Sequence, residues 1–109
     1  MNQVVLNYVL SNGEEPLTTW LENLKDLKGR AKIRARINQI RSGNPGNFKM
    51  VAPSIMEMKI DYGPGYRVYY SRVGSITILL LCVGDKTTQK SDIRTALEYL
   101  DDYKRRSRE

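Results

Sequence analysis

Residues 76–83, ITILLLCV, are apolar at every position except Thr77. The stretch is far shorter than the ~20 residues a membrane helix needs. As a strand it has no polar face to turn toward water, so it belongs in the middle of a sheet with cover on both sides. The rest of the chain must supply that cover, and at 109 residues it has material for one domain of ordinary size. The single cysteine, Cys82, falls inside this strand and reads as packing. It has no cysteine partner, and the chain contains no histidine to activate its thiol.

Hydrophobic spacing assigns the other elements. Residues 3–10, QVVLNYVL, read as a first strand, broken by Ser11, Asn12 and Gly13. From Glu14 to about Leu27, the residues Leu17, Trp20, Leu21, Leu24 and Leu27 recur at helical spacing. Pro16 suits the first turn, where a missing amide hydrogen costs nothing. A second helix is expected over Arg30 to Ser42, with Ile33, Ile37 and Ile40 as its buried stripe, and GNPG ends it at 43–46. Strands are expected at Phe48–Ala52, Ile55–Tyr62 and Tyr66–Arg72. After the apolar run, a last helix capped by Thr88 or Ser91 buries Ile93, Ala96, Leu97 and Leu100. The order β-α-α-β-β-β-β-α predicts an α+β fold, a helical hairpin packed on one face of a twisted, mainly antiparallel sheet. All of 1–109 is expected as one domain, with KRRSRE, from about residue 104, as a basic mobile tail.

Apolar alternation decides which way Arg67 faces. Met56, Met58 and Ile60 form the inward set on one strand, and Tyr66, Val68 and Tyr70 on the next. Residues directly opposite each other share a face. Pairing Ile60 with Val68 leaves Gly63, Pro64 and Gly65 as a three-residue loop between paired Tyr62 and Tyr66. Asp61 then falls opposite Arg67, and Lys59 opposite Tyr69, on the side away from Met58 and Val68. That geometry fits either a cross-strand Asp61–Arg67 pair or an open sheet face bearing Lys59, Arg67 and Tyr69. The loop GDKTTQK can lean Lys86 and Lys90 over the same face. Two lysines and an arginine there would hold a phosphate, and Tyr69 could stack on a base.

The formal net charge is +6, and its distribution matters more than its sign. No acidic residue stands between Asp26 and Glu57, an interval holding Lys28, Arg30, Lys32, Arg34, Arg36, Arg41 and Lys49. Clustered positive charge points to a polyanionic partner, with Arg30 and Arg34 as candidate RNA contacts. The opening MNQVVLNYVLSNGEE has neither basic leader nor long apolar run, so no signal peptide is expected and the cytoplasm is the expected compartment.

The run MEMKIDYGPGYRVYYSRVGSITILLLCVGDKTTQKSDI, residues 56–93, resembles the RelE/ParE superfamily of bacterial toxins. It is most similar to the HigB-like branch of addiction-module killer proteins. The pairing of YGPGYRVYY with LLLCVGDKTTQ carries a likeness that spans nearly the whole chain. The resemblance implies a RelE-like fold and a toxin neutralised by a cognate antitoxin, often of helix-turn-helix type. RelE-like members cut messenger RNA on the ribosome with basic residues on the sheet face. Carried onto this chain, Arg67 matches the family's strand arginine, Lys86 its loop basic residue, and Lys59 a lysine of the preceding strand. RelE also uses a tyrosine near its C-terminus, whereas residues 90–93 here are Lys, Ser, Asp and Ile, with no tyrosine until Tyr99.

Elementary chemistry limits the options. With no histidine, Lys59 or Lys86 would carry protons and Arg67 would stabilise charge; Asp85 and Asp92 are further acids nearby in sequence. Scattered acids and the lack of cysteine and histidine ligands suggest neither a metal nor a cofactor. Two other functions fit the same fold or charge: a ParE-like inhibitor of DNA gyrase, and an RNA-binding module without catalysis.

Overall fold

The computed structural model describes residues 3–108. In chain order the elements are β1 (Val4–Asn7), α1 (Pro16–Asn23), α2 (Leu27–Arg41), β2 (Phe48–Ala52), β3 (Ile55–Ile60), β4 (Tyr66–Arg72) and β5 (Thr77–Gly84). A 3-10 turn at Lys86–Thr88 then leads into α3 (Gln89–Ser107). The protein is α+β, with a mixed five-stranded sheet in the order β1-β5-β4-β3-β2. Only β1 and β5 run parallel.

The apolar run becomes β5, buried from Ile78 to Gly84 between β1 and β4. On one face Leu17 and Leu21 of α1 and Ile33, Ile37 and Ile40 of α2 cluster with Met58, Val68, Ile78 and Leu80. On the other, Ala96 and Leu100 of α3 cluster with Ile55, Tyr69, Leu79 and Leu81. An irregularity between Tyr69 and Tyr70 shifts the β4–β5 register, so Cys82 joins the α3 side and Val83 the α1/α2 side. The face away from α1 and α2 is therefore not the open surface expected from the hairpin alone. Leu79 and Leu81 need cover there, and α3 provides it.

The β3–β4 register also differs from the expectation. Ile60 pairs with Tyr66, Lys59 with Arg67 and Glu57 with Tyr69, a shift of two residues. Because side chains alternate with period two, a shift of two preserves every face while changing every partner. The loop is accordingly residues 61–65. Tyr62 leaves the ladder to pack on the α1/α2 cluster, with the Lys32 ammonium 5.1 Å from its ring centroid.

Helix α2 starts at Leu27, earlier than Arg30, because Asp26 caps it: one carboxylate oxygen accepts from the Gly29 amide at 2.9 Å. The other accepts from the Tyr66 hydroxyl at 2.7 Å, which ties the start of α2 to β4. Leu27 itself is exposed rather than part of a buried stripe. At the other end, Lys104 to Ser107 belong to α3 instead of a mobile tail. Arg105 pairs with Asp101 at 3.2 Å and Arg106 with Asp102 at 2.7 Å. The Tyr8 hydroxyl also donates to Asp102 at 2.6 Å, which fastens α3 to the chain just beyond β1. Glu109, the last residue of that basic run, and the first two residues of the opening stretch lie outside the described residues.

The Tyr66 hydroxyl, followed by the Gly29 amide, holds the Asp26 pKa below its ordinary value of 3.8. A depressed carboxylate contributes stability that is complete above the unfolded pKa and lost as pH falls through the folded one. Asp26→Ala is therefore expected to unfold at lower urea than wild type at neutral pH, with the gap closing below about pH 4. Urea midpoints across an acid series check this; a gap that stays constant into strong acid would remove Asp26 as the cause.

Candidate functional site

Helix α3 covers β5 together with Tyr69, Ile55 and Val51 beside it, and leaves one corner of the same face clear, where β2 starts, β3 ends and β4 starts. There Asn47, Phe48, Lys49, Glu57, Lys59 and Arg67 line an open pocket of about 240 Å³. Where α3 can begin is set by Gly84, which pairs with Arg67 across β4–β5. A Cβ at Gly84 would fall inside the Asp92 carboxylate and 2.7 Å from Thr88 Oγ1. Only glycine lets the first turn of α3 lie this close to the strand.

The loop after β5 is braced by its own side chains. Asp85 accepts from the Thr87 amide at 2.9 Å and from its hydroxyl at 2.6 Å, while the Asp85 amide donates to Thr88 Oγ1 at 3.3 Å. This fixes Lys86 beside Gly65, which sits at φ +80°. The Gly65 carbonyl accepts from Arg67 Nη1 at 2.7 Å. Three segments thus bring Lys59, Arg67 and Lys86 to one corner of the molecule, Lys59 directly opposite Arg67 and Lys86 across Gly65 from its guanidinium.

The pocket wall holds an acid that charge counting passed over. Glu57 is only 2% exposed and Arg67 only 6%. Glu57 Oε2 accepts from Gln89 Nε2 of α3 at 2.7 Å and lies 3.7 Å from Arg67 Nε, while Oε1 lies 4.0 Å from Lys49 Nζ. Arg67 Nε and the Tyr69 hydroxyl are buried without a hydrogen-bond partner of good geometry. Burial and then the neighbouring Glu57 charge raise the Tyr69 pKa, so the phenol stays protonated. Glu57 was visible in sequence as the residue alternating with Met56 and Met58 toward the Lys59 and Arg67 side, yet nothing local marked it as buried.

Several expectations need correction. Tyr69 is fully buried beneath α3 and cannot stack on a base. Arg67 pairs with Glu57 instead of Asp61, which sits 3.3 Å from Lys59. Arg30 and Arg34 belong to α2, across the sheet from the pocket, and do not join it. Arg30 is half-buried, its Nη2 donating to the Leu24 carbonyl at 2.7 Å. Lys90 is exposed in the first turn of α3. Asp92 lies against Gly84, and burial raises its pKa despite a hydrogen bond from Thr88. Burial pushes the Cys82 thiol up to about 12, far from a reactive thiolate. Among the described residues no cluster of three potential metal ligands occurs, and no helix is long and apolar enough to cross a membrane.

Fold and site together define a class: an α+β domain with a mixed sheet layered between helices and a cation-lined pocket at one uncovered corner. The chain is 47% identical over 78 residues to an uncharacterized protein of Haemophilus influenzae, an overlap of 72% of this chain and 79% of that one, and it belongs to that protein's family. No family model matches it.

Because α3 packs so closely on Gly84, Gly84→Ala is expected to destabilise the fold by about 1–3 kcal/mol, the usual cost of overpacking. It should also displace Gln89 from Glu57. Urea unfolding measures the first effect; a stability within about 0.5 kcal/mol of wild type, the range of ordinary surface changes, would show that the first turn of α3 yields freely.

Proposed function

We propose that this protein is a toxin of a type II toxin–antitoxin module, of the RelE/ParE superfamily and its HigB-like branch. Its activity in this reading is metal-independent cleavage of messenger RNA on the ribosome, in the cytoplasm. The observation that carries the reading is the meeting of Lys59 and Arg67 in a pocket walled by the buried Glu57 carboxylate, with Lys86 from a third segment beside Gly65 and the Arg67 guanidinium.

The chemistry follows from those groups. A ribose 2′-hydroxyl attacks the adjacent phosphorus, and Glu57 takes its proton. The phosphorane that forms carries extra negative charge, which Arg67 meets with a charge-assisted hydrogen bond. The P–O5′ bond then breaks, Lys86 or Lys59 protonates the departing oxygen, and a 2′,3′-cyclic phosphate remains. Glu57 replaces lysine as the base because it is the carboxylate in the pocket wall, while Lys49, Lys59 and Lys86 are exposed. A cognate antitoxin, commonly a helix-turn-helix protein in this superfamily, would silence the toxin.

The test is induction of the chain in a bacterial cell, with primer-extension mapping of messenger RNA 5′ ends. Arg67→Ala is a poor control: stranding a buried carboxylate costs ~3–5 kcal/mol and threatens the fold. Lys86 is exposed, so Lys86→Ala isolates chemistry from stability. New ends inside translated regions are expected with wild type, reduced on the order of 10²-fold by Lys86→Ala and by Glu57→Gln. The second is compared only once urea unfolding shows that it folds, because it leaves the buried Arg67 guanidinium without its counter-charge. Growth arrest without new ends would replace cleavage with gyrase inhibition. Ends that persist in both variants would remove this pocket from the reaction.

A further inference from the structure

A second cationic surface lies across the sheet from this pocket. Between α1, α2 and the strands β1 and β5 is a cavity of about 210 Å³, floored by Leu17, Leu21, Ile37 and Leu80. Arg34 and Arg41 line its mouth, seven residues apart on α2 and so about 10 Å along the helix axis. Both are exposed, and among the described residues neither makes an ion pair. Arg41 Nη1 donates to Asn38 Oδ1 at 2.8 Å, which holds one guanidinium at the rim. Asn7, on β1, lines the cavity too, and its Oδ1 is buried with no hydrogen-bond partner.

A ligand suited to this cavity needs three properties. It must carry negative charge for the two arginines. It must bring a hydroxyl to the Asn7 amide, whose broad, two-fold χ2 torsion can present either atom. It must also lay a weakly polar ring against the leucine and isoleucine floor. We infer that the cavity is a ribose-phosphate subsite for RNA, with Arg34 and Arg41 on the phosphate and Asn7 on the ribose 2′-hydroxyl. That hydroxyl is both donor and acceptor and is what separates RNA from DNA at a protein surface. An acidic protein partner suits the face less well. Apart from Leu27 at its far end, the exposed apolar residues of α2 are Ala31 and Ala35, set among cations and the amides of Asn38 and Gln39, without the aromatic or long aliphatic anchor such interfaces use. The inference goes beyond the cleavage reading, since it requires RNA binding and no chemistry, and it uses different residues.

The experiment measures binding of a labelled single-stranded RNA, its 2′-O-methyl form and DNA of the same sequence by fluorescence anisotropy. The protein is the full chain carrying Lys86→Ala, so that cleavage does not intervene. RNA should bind roughly two- to tenfold tighter than the other two, the worth of one net hydrogen bond. Asn7→Ala should erase that preference. Arg34→Gln with Arg41→Gln should weaken all three probes and flatten the log–log salt dependence by about 0.7, the contribution of one neutralised phosphate on a single strand. An RNA preference that survives Asn7→Ala overturns the inference, as does a salt dependence that ignores both arginines. If Asn7→Ala fails to fold, the exposed arginines decide alone. The preference persisting while no messenger RNA ends appear in cells would sink the cleavage reading and leave this one standing.

Discussion

A strand with no polar face admits one arrangement, a layer on each side, and the rest of this molecule follows from that constraint on β5. Helices α1 and α2 cover Ile78, Leu80 and Val83, so α3 must cover Leu79, Leu81 and Cys82. A single helix cannot cover a five-stranded sheet. It lies where the apolar surface is densest and leaves bare the corner where β2 starts, β3 ends and β4 starts, and the pocket forms there. Gly84 sets how closely the first turn of α3 approaches, and that turn brings Gln89 to the pocket wall. The location of the candidate site is thus a by-product of burying one strand.

The Glu57–Arg67 pair makes little sense as a source of stability. Removing two charges from water costs several kcal/mol per ion, and well-packed apolar residues often replace such a pair at no loss. The present pair is not even fully satisfied, because Arg67 Nε and the Tyr69 hydroxyl lack good partners. Each unmade buried hydrogen bond costs about 1–3 kcal/mol. A charged, under-satisfied group beside an open pocket is the kind of group that gathers at functional sites. Gln89 anchors the carboxylate from α3 and fixes which oxygen faces Arg67 and which faces Lys49.

Much of this architecture was legible because period-two and period-3.6 patterns survive folding. β2, β4 and the α2 stripe lie where alternation and spacing place them. What escaped was decided by contacts between distant segments. The β3–β4 register turned on Tyr62 leaving its ladder for Lys32, a residue 30 positions away. The early start of α2 turned on Asp26 reaching Tyr66. Glu57 looked solvent-facing because alternation distinguishes two faces without saying that both are covered. The two-sided apolarity of β5 already demanded a helix on the Lys59 and Arg67 side, but the outward polar residues of β3 and β4 disguised how far it would reach over Tyr69. The C-terminal cations read as a free tail because Asp101 and Asp102, one turn earlier, were not counted as their partners.

The same lesson reshapes the acid-free interval, whose seven cations looked like one basic face. Arg36 donates to the carbonyls of Lys59, Pro45 and Asn47 and joins the end of β3 to the loop before β2. Arg30 donates to the Leu24 carbonyl and closes the α1–α2 connection. Lys32 lies over Tyr62, and Lys49 faces Glu57 across the sheet from α2. Those four serve the fold or the pocket, so charge density along the sequence overstated the surface that a polyanion would meet. Lys28, Arg34 and Arg41 remain, and two of them flank the cavity lined by Asn7, whose buried Oδ1 has no partner. Positive charge left over after internal pairing is more informative than total charge, because only the surplus can be neutralised by something outside the chain. Here the surplus of that interval gathers on α2, and at the cavity it borders a buried polar atom, Asn7 Oδ1, that the protein itself leaves unsatisfied.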